Sequence, residues 1–269
     1  MVFEYFSKNG ELLPIAEAVV PLSNIEYAYG FGAYETIRAV RGKPRDVEDH
    51  LARLMESCRI IGIEHSFTID GIKADIAALV EKNAIDVCNL KLLLVGGPTL
   101  DKATLSILCL NPIFPDKKLY RDGCDVITYE YERMFPHAKS LNMLGSYLAY
   151  KKAKEAGAYD ALLVNRAGFI TEGTRTNFFC IQGKTIYSPP EDEILLGVTR
   201  DRVLACAKEN GFTVEAMDIR PEDVASYDSA FVTSTSSKIM PIRAIGHVPL
   251  KDISTELRTL MDLYEQMSR

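Results

Sequence analysis

The stretch Asn111-Pro-Ile-Phe-Pro-Asp116 places two prolines close together near the middle of the chain. Proline has no backbone N–H and a fixed φ, so neither residue can continue a helix or a central strand. Flanked by apolar-periodic segments, such a break reads as an inter-domain linker. It predicts a small N-terminal α/β domain over residues 1–115, a linker at about 111–118 and a larger C-terminal domain over 119–269. At roughly 150 residues per domain, 269 residues give room for this division.

In the first part, Val2 to Leu13 reads as a hairpin, because Asn9-Gly10 supplies the positive φ angles of a two-residue turn. Tyr34 to Val40 reads as a strand closed by the turn Arg41-Gly-Lys-Pro44. Leu51, Leu54, Met55, Cys58 and Ile61 recur at helical spacing and predict an amphipathic helix over 47–61; Ile72, Ile76, Leu79 and Val80 predict another over 71–82. Strands Lys91 to Val95 and Ala103 to Leu110 complete this part. The second part reads as a strand Asp125 to Glu130, a helix over 145–157, and the hairpins Ala161–Asn165/Phe169–Glu172 and Thr176–Ile181/Thr185–Ser188. A helix Thr199–Asn210 follows, with a hydroxyl at its start and Gly211 at its end. Strands outnumber helices in mixed order, which predicts an α+β fold and not a doubly wound sheet.

Composition narrows the function. Thirty-seven acids against 31 bases leave a net charge of −6 and supply no global positive field for a polyanion, so nucleic acid is excluded as a partner. Apolar runs such as Leu92 to Val95 fall far short of the ~20 residues that span a bilayer, so no membrane partner is expected. The opening Met-Val-Phe-Glu-Tyr-Phe has no basic region before an apolar run and predicts no secretory signal, hence a cytoplasmic protein. Cysteines 58, 88, 109, 124, 180 and 206 contain no Cys-x-x-Cys pair and read as buried thiols. Histidines 50, 65, 137 and 247 show no ligand spacing, so no metal site is expected.

Phosphate-loop, nucleophile-elbow and zinc-protease motifs are absent. Tyr29-Gly-Phe-Gly-Ala33 precedes a strand and so lacks the strand-to-helix context of a dinucleotide fingerprint. Two segments do suit an anion. Gly197-Val198-Thr199 leads into a helix whose first N–H groups and dipole favour negative charge. Phe231-Val-Thr-Ser-Thr-Ser-Ser237 ends an apolar strand in a cluster of hydroxyls. Together they suggest a phosphate cradle, although each alone also reads as a helix cap or a polar turn.

The combined pattern resembles the class IV (fold type IV) pyridoxal-phosphate enzymes: D-amino acid and branched-chain aminotransferases, (R)-amine transaminases and aminodeoxychorismate lyases. Six pieces in order carry the resemblance across nearly the whole chain. They are Tyr29-Gly-Phe-Gly-Ala-Tyr-Glu-Thr-Ile-Arg38, His50-Leu-Ala-Arg-Leu54, Lys139-Ser-Leu-Asn-Met-Leu144, Ile170-Thr-Glu-Gly-Thr-Arg-Thr-Asn-Phe178, Leu196-Gly-Val-Thr-Arg200 and Thr233-Ser-Thr-Ser-Ser-Lys-Ile-Met-Pro241. The resemblance implies the two-domain D-amino acid aminotransferase-like architecture, pyridoxal 5'-phosphate as cofactor, and a homodimer with active sites at the subunit interface.

Carried over by position, Lys139 is similar to the Schiff-base lysine that also shuttles the proton. Glu172 resembles the carboxylate that keeps the pyridine nitrogen protonated and the ring an electron sink. Arg53 resembles the phosphate-binding arginine, with the N–H groups of Val198 and Thr199 and with Ser234 and Thr235 completing the cradle. Leu195 matches an apolar residue against the ring face, and equally reads as core. For the substrate, strand alternation puts Tyr34, Thr36 and Arg38 on the face that lines the family's pocket; Arg38 and Arg175 are both candidates for the carboxylate, and both also read as structural arginines.

The chain departs from its relatives in two places. The strand arginine of bacterial D-amino acid aminotransferases is missing from Leu94-Val-Gly-Gly-Pro98. The tyrosine that branched-chain enzymes carry five residues after the lysine is Leu144 here. The implied activity is a ping-pong transaminase acting on an amino acid, with D-amino acids favoured, and a 2-oxo acid. An aminodeoxychorismate lyase is the first alternative, then a branched-chain or (R)-amine transaminase, then a non-catalytic cofactor-binding protein.

Overall fold

The structure, a computed structural model, describes residues 3–267. The chain divides into one unit of residues 1–113 and 137–143 and a second of residues 114–136 and 144–269. The first stretch of the first unit thus ends inside the proline-bearing segment. The short stretch carrying Lys139 groups with this N-terminal unit, whereas the sequence alone places it in the C-terminal domain. The reason is backbone pairing. Tyr34 N–H donates to the Lys139 carbonyl at 2.9 Å and Leu141 N–H to the Gly32 carbonyl at 2.7 Å, while Ala33 and Ser140 form an antiparallel bridge.

The first unit contains strands β1 (Tyr5–Lys8) and β2 (Glu11–Pro14), a short helix α1 (Ile25–Ala28), strands β3 (Gly32–Val40) and β4 (Lys43–Pro44), helices α2 (Val47–Ile61) and α3 (Ile69–Lys82), and strands β5 (Val87–Val95) and β6 (Thr104–Leu110). Its sheet is antiparallel throughout, in the order β2-β1-β6-β5-β3-β4. Asn9 and Gly10 take φ of 52° and 86°, as the expected hairpin turn requires; Val2 lies outside the described residues. One sheet face presents Ile37, Leu90, Leu92, Leu94 and Ile107 to Leu51 and Leu54 of α2 and to Ile72, Ile76 and Leu79 of α3. Each such side chain, fully removed from water, contributes roughly 1.5–3 kcal/mol. β5 starts at Val87, four residues before the strand expected from Lys91. Asn89 and Lys91 interrupt the run on one face only, while Cys88, Leu90, Leu92 and Leu94 keep the buried alternation.

The second unit contains α4 (Lys117–Asp122), β7 (Cys124–Glu130), α5 (Leu144–Glu155), β8 (Asp160–Val164), β9 (Ile170–Gly173), β10 (Asn177–Gln182), β11 (Thr185–Ser188), α6 (Val198–Glu209), β12 (Thr213–Ala216), β13 (Ser229–Ser234), β14 (Lys238–Ile245), β15 (Val248–Pro249) and α7 (Thr255–Met267). The sheet runs β12-β11-β10-β13-β14-β7-β8-β9, with β15 beside β14. A further pairing of Asn177 with Glu172 joins β9 back to β10. That closure puts both faces of several strands out of water. β8, β9 and β10 therefore read as near-continuous buried runs, not as alternating ones. Stacked Phe179 and Phe231, 4.9 Å between centroids, pack with Val203 and Ala207 of α6 and Leu257 and Leu260 of α7. Ala149 and Ala153 of α5 cover Ala161 and Leu163.

Candidate active site

Lys139 is held from both sides within the first unit. Its carbonyl is paired to β3, and its own N–H donates to Ser57 Oγ of α2 at 3.0 Å. With the backbone fixed, the Lys139 Nζ comes to 4.7 Å from the centroid of the Tyr34 ring. Tyr34, Thr36 and Arg38 occupy one half-buried face of β3, as expected from alternation.

The opposite face of β3 carries Glu35 between Ala33 and Ile37, with no solvent exposure. A carboxylate in that position is costly unless fully paired. Here Arg53 donates through Nε to Oε1 at 2.6 Å and through Nη2 to Oε2 at 2.9 Å, and His50 Nδ1 lies 2.9 Å from Oε2. Burial alone would raise the acid's pKa. The Arg53 charge, the hydrogen bonds from His50 and Arg53, and the Lys139 charge overcome it and bring Glu35 down to about 2. Arg53 thus has its guanidinium plane fixed by a buried carboxylate. Sequence reading missed Glu35 and His50, although a charged residue in the apolar phase of a strand signals that a partner must exist.

In the second unit, Glu172 is the penultimate residue of β9 and is almost fully buried. Arg133 donates through Nη1 to Oε1 at 2.9 Å, and the Leu195 N–H donates to Oε2 at 3.3 Å. Both oxygens are therefore oriented. Leu195, expected against a ring face, does its visible work through its backbone, since its carbonyl also accepts from Asn177 Nδ2 at 2.7 Å. The same Asn177 presses on the turn into α6. A Cβ built on Gly197 would lie 2.1 Å from Asn177 Oδ1. Gly197 caps α6 without any side-chain hydrogen bond, so the first-turn N–H groups of Val198 and Thr199 are not capped by a side chain.

Beside this turn, Thr233 pairs in register with Asn177, and its buried hydroxyl has no hydrogen-bond partner among the described residues. Ser234 Oγ lies 2.7 Å from Ser237 Oγ and accepts from the Ser237 N–H at 3.2 Å; Thr235 is half-buried beside it. An uncapped helix start, an orphaned hydroxyl and a serine cluster form a donor set suited to a phosphate. Arg175 is exposed, with its guanidinium 4.4 Å from the Tyr150 ring centroid. The turn that carries it is fastened by Asp160, which accepts from the hydroxyls of Thr174 and of Thr176, the latter at 2.9 Å, and from the Ala161 N–H at 2.9 Å. Burial pushes the Asp160 pKa up, against these hydrogen bonds and the Arg175 charge.

The sequence-expected residues thus fall into two sets. Lys139, Tyr34, Thr36, Arg38 and Arg53 surround β3 of the first unit; Glu172, Leu195, Val198, Thr199, Ser234 and Thr235 belong to the second. Arg133, Asn177 and Asp160 were not anticipated. Each is polar within or next to an apolar strand, which is the signal that marked Glu35. No group of three or more His, Cys, Asp or Glu among the described residues could hold a metal ion. No described helix is long and apolar enough to cross a membrane.

Comparison with known proteins identifies the family. The family model described as amino-transferase class IV matches residues 32–245. The chain is 32% identical over 246 residues to a D-alanine aminotransferase of Bacillus licheniformis, covering 88% of this chain and 87% of that protein. It is 30% identical over 267 residues to a putative branched-chain-amino-acid aminotransferase of Methanocaldococcus jannaschii, covering 93% and 92%. Among solved structures, a T.th. branched-chain amino acid aminotransferase with pyridoxamine 5'-phosphate matches with a TM-score of 0.91 at 24% identity, covering 99% of this chain and 94% of that one. That last likeness shows the fold.

Proposed function

This chain belongs to the amino-transferase class IV family and is a pyridoxal-phosphate-dependent aminotransferase, and we propose that it moves an amino group from a D-amino acid to a 2-oxo acid by ping-pong turnover. The observation that carries the residue assignment is the double clamp on Lys139, by β3 through its carbonyl and by Ser57 through its N–H. A lysine whose function were only to be charged would need no such fixed backbone.

When bound, the cofactor supplies an electron sink for the carbanion formed at the substrate Cα. Lys139 would hold the group at its aldehyde carbon and carry the proton at Nζ, with the Tyr34 ring 4.7 Å from that nitrogen. Glu172, turned by Arg133 and the Leu195 N–H, would face the ring nitrogen and keep it protonated. Arg53, in the plane set by Glu35, would take the phosphate, and the N–H groups of Val198 and Thr199 and the hydroxyls of Ser234 and Thr235 would be its other donors. Leu195 would cover the ring. Tyr34, Thr36 and Arg38 would line the substrate side, and Arg175 stands on the turn that follows Glu172.

The D-alanine aminotransferase relative and Leu144 in place of the branched-chain tyrosine support the D-amino acid donor. A branched-chain L-donor is the second reading, favoured by the M. jannaschii relative. Exposed Val19, Val20, Leu22, Ile25 and Tyr29 support a homodimer, since a monomer gains nothing by presenting them to water. Six free, buried cysteines support a cytoplasmic location.

The test is a half-reaction screen with D- and L-alanine, glutamate and leucine, following loss of the cofactor's bound-aldehyde absorbance. D-alanine is expected to react and the Lys139→Ala protein to be inert; consumption of L-branched donors alone would overturn the D-assignment.

A further inference from the structure

Lys91 lies at the centre of β5, opposite Thr36 of β3 in the register, with Leu93 opposite Tyr34 and Asn89 opposite Arg38. Directly opposed residues share a sheet face and diagonal neighbours come within reach of long side chains. Lys91 is therefore on the half-buried face with Tyr34, Thr36 and Arg38, away from α2 and α3. Its Nζ stands 4.1 Å from the Tyr34 ring centroid, the same ring that carries the Lys139 Nζ at 4.7 Å.

Two ammonium groups on one ring is an arrangement that asks for an anion. Burial pushes the Lys91 pKa down and the Lys139 charge pushes it further, against the opposing influence of Tyr34 and Glu35. Glu35 is on the other face and is shared by His50 and Arg53. No carboxylate among the described residues lies within ion-pair distance of Lys91. A partly desolvated cation without a counter-charge of its own is stabilised when a ligand brings one.

We propose that Lys91 is the cation that receives the α-carboxylate shared by the amino-acid donor and the 2-oxo acid. The proposal rests on the reading of Lys139 as the residue to which the donor's amine comes. In an α-amino acid the amine and the carboxylate are separated by one carbon, so a carboxylate-binding cation has to stand near the lysine to which the amine comes, and Lys91 and Lys139 both approach the Tyr34 ring, at 4.1 and 4.7 Å. Lys91 is the one basic residue of β5, and the segment Leu94–Pro98 at its end carries no charge. Arg38, on the same face, is farther along β3 from Tyr34.

The test uses the holoenzyme and its Lys91→Met and Lys91→Arg variants. Propanoate, which has a carboxylate and no amine to react, is titrated calorimetrically. Its Kd is expected to rise about tenfold or more in Lys91→Met, the loss of one charge-assisted contact, and to stay within about threefold in Lys91→Arg. In turnover, KM for D-alanine is expected to rise similarly while an amine without a carboxylate is converted at an unchanged KM. An unchanged propanoate Kd in Lys91→Met overturns the proposal. So does a KM effect confined to donors with a second carboxylate, which would place that second group, and not the α-carboxylate, at Lys91. Amino transfer surviving in Lys139→Ala would overturn the reading of Lys139; transfer lost there with the Lys91→Met propanoate Kd unchanged overturns the Lys91 assignment alone.

Discussion

Glu35 grips Arg53 with both carboxylate oxygens, at 2.6 and 2.9 Å, from a strand position that has no exposure to water. The pair joins β3 to α2 at the point where α2 also supplies Ser57 to the Lys139 backbone. Replacing Glu35 by Gln leaves His50 and Arg53 without the charge they enclose. Glu35 titrates at about 2 in place of 4.5, so its contribution is complete above pH 4.5 and is lost as pH falls through about 2. The stability gap between wild type and Glu35→Gln should be on the order of 3 kcal/mol at pH 7 and shrink steadily between pH 4.5 and 2, as read by urea denaturation across that range. A gap independent of pH would show that the pair does not act through charge.

Glu172 and Arg133 are expected to separate stability from chemistry. On the proposed role of Glu172 as the partner of the ring nitrogen, Glu172→Gln should lower amino transfer by about a hundredfold or more. It also leaves Arg133 without its carboxylate, at a cost of about 1–3 kcal/mol. Adding Arg133→Met should recover most of the stability and none of the activity. Thermal melts and single-turnover rates on the three proteins check this.

Gly197 has an ordinary φ of −76°, so an alanine there meets no backbone strain. Its Cβ would instead lie 2.1 Å from Asn177 Oδ1 and displace the side chain that holds the Leu195 carbonyl. Gly197→Ala should destabilise the protein by about 1–3 kcal/mol and weaken the binding of pyridoxal 5'-phosphate more than that of unphosphorylated pyridoxal. Equal loss for both ligands would detach this turn from the phosphate.

Asp160 fastens the turn after Glu172 through the hydroxyls of Thr174 and Thr176. Burial favours its neutral form, and asparagine is neutral with an acceptor oxygen retained. Asp160→Asn should therefore cost less than about 1 kcal/mol, while Asp160→Ala, which strands two hydroxyls and the Ala161 N–H, should cost about 2–4 kcal/mol. Chemical denaturation of the two variants measures the difference.

Much of the fold was legible because local signals were strong. Helix α2 spans the residues its apolar spacing indicates, and the Asn9-Gly10 turn forms where its backbone preference puts it. The C-terminal helix α7 was not anticipated, although Leu257, Leu260 and Tyr264 recur on its buried face. The placement of residues 137–143 was illegible for a physical reason. Their pairing with β3 joins positions far apart in the chain, and short segments carry no periodicity that names a distant partner. The residues with family motifs could be named from sequence. Their supports, Glu35, Arg133 and Asn177, depend on which strands meet. Each shows in the sequence only as a polar residue in or beside an apolar stretch.

The bridge between Ala33 and Ser140 has a consequence for biosynthesis. On the ribosome β3 emerges early, but the edge it offers to residues 139–141 stays unfilled until β5, β6 and the whole of β7 have been translated. The first unit can acquire Lys139 only after part of the second has already been translated, so a nascent chain stalled before that point carries the sheet without this lysine.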